Sequence, residues 1–121
     1  MKRTILLVAA VALALVALAA CDSSTRRGGA GTRITVTATE FKFEPATLTV
    51  GRGETINLTV KNTGAIEHTW VFKAVGFKMT VGPGKAETKT FTAPTAPGTY
   101  DIDCDVAGHK DAGMSGKLVV K

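Results

Sequence analysis

The chain has 121 residues, enough for one compact domain and not two. Its formal charge is +5, but residues 33–121 hold 11 Lys and Arg against 9 Asp and Glu, a net of +2. That small excess excludes an argument for nucleic acid or for a strongly acidic partner.

In chain order, Lys2 and Arg3 open the sequence, and 16 uninterrupted apolar residues follow from Ile5 to Ala20. A spanning helix needs roughly 20 apolar residues, so this shorter, alanine-rich run reads as a secretory signal peptide over residues 1–20. The junction Leu18-Ala19-Ala20-Cys21 resembles the lipobox of bacterial lipoproteins. The resemblance implies cleavage before Cys21 and lipid on that cysteine; the alternative is an ordinary signal cut near a cysteine by chance. Residues 21–32 then form the lipidated cysteine and a polar, glycine-rich tether. Lipidation uses Cys21 and leaves Cys104 unpaired in an exported protein, where an idle thiol is a liability.

From residue 33 to 121 the texture is that of one β domain. Ile34, Val36 and Ala38 alternate with threonines, and the pattern continues over Phe41 to Val50 with a break at Pro45. Ile56, Leu58 and Val60 alternate after the Gly51-Arg52-Gly53 turn. Further strands are predicted over His68 to Lys73, Phe77 to Val81, Ala86 to Ala93, Thr99 to Cys104 and Gly116 to Lys121. Asp105 to Met114 is a loop. No 3.6-residue apolar stripe occurs. Short strands punctuated by Gly and Pro predict an all-β, two-sheet antiparallel sandwich.

The chemistry concentrates in few residues. The chain has 2 histidines, one cysteine beyond residue 21, and Met79 and Met114 beyond the initiator. Three of these candidate donors fall in Cys104-x4-His109-x4-Met114, a flexible loop able to wrap one ion. His68 stands at the start of another strand. Two imidazoles, a thiolate and a weak thioether are the donors of blue-copper centres, whereas structural zinc is closed by Cys and His alone. Met79 reads as core, and Tyr100 as a structural tyrosine at its strand's start. No nucleophile–base set emerges, so no enzyme is expected.

The segment Tyr100-Asp-Ile-Asp-Cys104-Asp-Val-Ala-Gly-His109-Lys-Asp-Ala-Gly-Met114, with Asn62-Thr-Gly-Ala-Ile-Glu-His68 upstream, resembles the cupredoxins, the blue-copper family. The resemblance spans about residues 33–121. It implies a Greek-key β-sandwich holding one type 1 copper, with His68, Cys104 and His109 as ligands and Met114 as axial ligand. Asn62 and Thr69 would lie just behind the ligands. Thr69 stands where many members have asparagine. The resemblance also implies a monomeric single-electron carrier serving a cytochrome or a membrane oxidoreductase, and the signal and lipobox readings put it outside the cytoplasm, tethered to a bacterial membrane. Its electron port would be His109, collared by Ala65, Ile66, Val106 and Ala112. The same ligands would also serve copper delivery or storage, the alternative function.

Overall fold

The computed structural model describes residues 31–121. The expected signal peptide, the expected lipid attachment at Cys21 and all but the last two residues of the expected tether lie outside the described residues. Nine strands follow in order: β1 (Thr32–Thr39), β2 (Lys42–Glu44), β3 (Thr47–Val50), β4 (Thr55–Asn62), β5 (His68–Phe72), β6 (Phe77–Val81), β7 (Ala86–Thr92), β8 (Gly98–Asp103) and β9 (Ser115–Val120). β1 thus begins at Thr32, the last residue of the expected tether, which pairs with Ile56.

The strands form two sheets, β2-β1-β4-β7 and β3-β9-β8-β5-β6. The all-β sandwich is the expected architecture, but it is not antiparallel throughout. β1 runs parallel to β4, and β3 runs parallel to β9. Alternation dictates which face of a strand is buried and says nothing of its neighbour's direction. The stretch from Phe41 to Val50 breaks at Pro45 as expected, and its two parts join different sheets, β2 one and β3 the other. Proline lacks the N–H that would continue the ladder.

Inward residues alternate along β4, where Ile56, Leu58, Val60 and Asn62 are buried. Every residue of β5 is buried. Phe91 of β7 meets Trp70, Phe72 and Phe77 from the other sheet, with ring centroids 5.8, 5.6 and 5.0 Å away. This aromatic cluster joins the two sheets and anchors the strand that begins with His68. Met79 is buried in the same core. The Tyr100 hydroxyl donates to the Ala96 carbonyl at 2.6 Å, a structural brace. After Phe72 the chain makes a single 3-10 turn, Lys73–Val75, where strand had been expected at Lys73. Among the described residues, no helix is long and apolar enough to cross a membrane.

Candidate metal centre

The donors meet at one end of the sandwich because the parallel and antiparallel ladders bring three segments there. β5 begins with His68, β8 ends just before Cys104, and the β8–β9 loop carries His109. The ligating atoms of these three buried residues all lie within 4.8 Å of one another. His68 Nδ1 is 3.2 Å from His109 Nδ1, and Cys104 Sγ is 3.4 Å from that same His109 nitrogen.

Met114 is fully buried where the loop returns to the sheet. Its N–H donates to the His109 carbonyl at 3.0 Å, and its carbonyl accepts from the Cys104 N–H at 3.2 Å. The first and last donors of the loop are therefore tied through their backbones. The loop is also bonded within itself, His109 N–H to the Val106 carbonyl at 3.0 Å and Gly113 N–H to the Lys110 carbonyl at 2.9 Å. Gly113 takes φ 97°, a value that side chains disfavour.

The surroundings of the sulfur depend on Thr69. Its N–H donates to Cys104 Sγ at 3.4 Å. Its hydroxyl lies 3.6 Å from the sulfur but only 2.7 Å from Asp105 Oδ1, and it accepts from the Asp105 N–H at 2.9 Å. One hydroxyl proton cannot serve both acceptors, and the nearer carboxylate takes it. Asp105 in turn accepts from Lys78 Nζ at 2.8 Å. That ammonium first, and the Thr69 hydroxyl next, hold the Asp105 carboxyl below the usual carboxylate range against partial desolvation.

Asn62 braces the approach to His68. Its buried amide donates to the carbonyls of Ile66 at 2.7 Å and Val81 at 2.9 Å, and its oxygen accepts from the Gly64 N–H at 2.9 Å. Two residues of the β1–β2 turn complete the surroundings, and sequence reasoning had passed over both. Glu40 Oε1 lies 3.1 Å from His68 Nε2 and accepts from the N–H groups of Ala65 at 2.9 Å and Ile66 at 3.3 Å. Partial desolvation pushes its carboxyl up, but the bonds from Ile66, Ala65 and His68 together carry it below the usual range. Phe41 sets its ring against that of His109, with centroids 4.9 Å apart. Phe41 and Ile66 are exposed at 39% and 41%, Ala65 and Ala112 are exposed as well, and Val106 is half-buried.

The donor set fits copper. A thiolate and two imidazoles facing one another suit both copper oxidation states, and a buried thioether at the loop's end suits the softer one. Zinc lacks a fourth Cys or His here.

The chain matches the family model of the cupredoxin-like domain over residues 8–120. It is 31% identical over 100 residues to the copper-resistant cuproprotein CopI of Rubrivivax gelatinosus, covering 67% of this chain and 61% of that protein. The chain thus spans about three fifths of that relative's length. Among solved structures it resembles the dithionite-reduced auracyanin of Roseiflexus castenholzii, with a TM-score of 0.67 and 31% identity over 77% of this chain and 99% of the other. Auracyanin A of Chloroflexus aurantiacus, described as a blue copper protein, gives a TM-score of 0.66 and 26% identity over 76% of this chain and 100% of the other.

Proposed function

This chain belongs to the cupredoxin-like domain family, and we propose that it is an extracytoplasmic single-electron carrier holding one copper through His68, Cys104, His109 and Met114. The observation that carries this reading is the buried convergence of two imidazole nitrogens and one sulfur within 4.8 Å. Bound copper would supply a Cu(I)/Cu(II) couple at that point.

The protein's own part is to hold the donors still. His68 is fixed by the aromatic core behind β5, and Cys104 by the end of β8 and the Thr69 N–H. The loop that offers His109 and Met114 is closed by backbone hydrogen bonds. Donors held this way rearrange little when an electron arrives or leaves. Four protein donors also leave no open position for a substrate, which favours a carrier over an enzyme. Phe41, whose ring meets that of His109, and the exposed Ala65, Ile66 and Ala112 are the apolar side chains proposed for a brief encounter with a redox protein such as a cytochrome or membrane oxidoreductase.

The decisive experiment is reconstitution with Cu(II). An intense visible thiolate charge-transfer band is expected, and Cys104→Ala should abolish it. A colourless wild-type copper complex would overturn the reading. The likeness to a copper-resistance protein favours one rival, copper delivery or storage through the same donors. Repeated reduction without metal loss supports the carrier; rapid loss of Cu(I) to a chelator supports delivery. The chain is proposed to act as a monomer on the outer face of a bacterial membrane, held by lipid on Cys21. Cys21→Ser should move the protein from the membrane fraction to the soluble one.

A further inference from the structure

The β1–β2 turn brings a carboxylate to the far side of a donor ring. Glu40 Oε1 meets His68 Nε2 at 3.1 Å, while His68 Nδ1 faces His109 Nδ1 and the Cys104 side. The carboxylate is held by the N–H groups of Ala65 and Ile66, in the segment leading into β5. Gly64 makes room for it: a Cβ at that position would collide with the Glu40 carboxyl group. The arrangement therefore joins the β1–β2 turn of one sheet to the first residue of β5 in the other.

A carboxylate within hydrogen-bond distance of a neutral imidazole requires the proton on the facing nitrogen. The proton of His68 then sits on Nε2, and the lone pair on Nδ1 points toward the other donors. Carboxylate–histidine pairs of this kind fix the tautomer, orient the ring and make the imidazole a stronger donor. A stronger donor with a negative charge behind it favours Cu(II) over Cu(I).

We infer that Glu40 is a positioning residue: it locks His68 as the Nε2–H tautomer with Nδ1 toward the metal, and its charge lowers the copper reduction potential. The potential part rests on the copper reading above; the tautomer part does not. Glu40 contacts no partner or substrate in this role and acts only through His68.

Two readouts test it. In the metal-free protein, long-range nitrogen NMR of His68 should report the Nε2–H tautomer, and Glu40→Ala should give a mixture. Glu40→Gln keeps an acceptor oxygen and should retain the tautomer. In the copper protein, Glu40→Ala should shift the Cu(II)/Cu(I) affinity ratio about tenfold toward Cu(I), raising the potential by about 59 mV for one electron. Glu40→Gln, which removes only the charge, should raise it by less. Gly64→Ala, which displaces the carboxylate from the other side, should reproduce the Glu40→Ala tautomer mixture. An unchanged tautomer in Glu40→Ala, or an unchanged potential in both Glu40 variants, would overturn the inference and leave Glu40 as a loop clasp. If the wild type forms no blue complex, the function reading fails, while the metal-free spectra still decide the tautomer.

Discussion

The two ends of the sandwich are closed by the same device put to different uses. At the end where β1 and β4 begin, Glu54 accepts from the Thr32 hydroxyl and from the Gly51 N–H at 2.5 Å, while Arg52 and Gly53 bond to the carbonyls of Lys121 and Pro94. Every bond there ends on backbone or on a hydroxyl. At the other end Glu40 likewise collects two backbone N–H groups, but its third partner is the ring of His68. One glutamate finishes a turn; the other finishes a turn and sets the state of a candidate ligand. A carboxylate that caps a loop becomes functional when its last partner is a side chain with a second face.

The comparison can be tested from its largest expected effect downward. Phe72 belongs to the core shared by both ends, so Phe72→Ala should lower stability by about 3–5 kcal/mol. Denaturant unfolding of the metal-free protein measures this, and hydrogen exchange should rise at both ends alike. Asn62→Ala leaves the carbonyls of Ile66 and Val81 without their donor and should cost about 1–3 kcal/mol. Its faster exchange should be confined to the metal end; an equal rise around Gly51–Glu54 would break the comparison.

Gly113→Ala forces a side chain onto φ 97° and should cost about 1–2 kcal/mol while weakening copper binding. Competition with a copper chelator reads the second effect. The smallest effect belongs to Glu54. The Thr32 hydroxyl first, then the Gly51 N–H, hold its carboxyl below the ordinary value of 4.5 against partial desolvation. A lowered folded value contributes stability that is present above the ordinary value and is lost as pH falls through the folded one. Glu54→Gln should therefore flatten the acid limb of a stability–pH curve and leave the copper reduction potential unchanged.

The candidate donors were readable because they are scarce. With two histidines and one cysteine in the domain, the spacing Cys104-x4-His109-x4-Met114 had few competing explanations. Thr69 was readable only as a departure. Its hydroxyl turns away from the sulfur toward Asp105, because the charged oxygen is nearer and accepts more strongly. Glu40 and Phe41 gave no signal. They lie 28 and 68 residues from the rings they touch, Glu40 between two strand patterns and Phe41 at the start of one. Gly64 follows the pattern of β4 as a turn glycine would, but a turn and a carboxylate's close approach call for the same residue.

By itself the sequence determined the β character of the domain, the inward residues of β1 and β4 and the set of candidate donor atoms. Those follow from local alternation, turn residues and side-chain chemistry, all of which act over a few residues. Tertiary structure alone decided that β1 lies parallel to β4, that Pro45 sends the chain from one sheet to the other, and that Glu40 stands behind His68. Each of these depends on which distant strands become neighbours, and that is settled by burying a whole face at once. No local pattern carries that information.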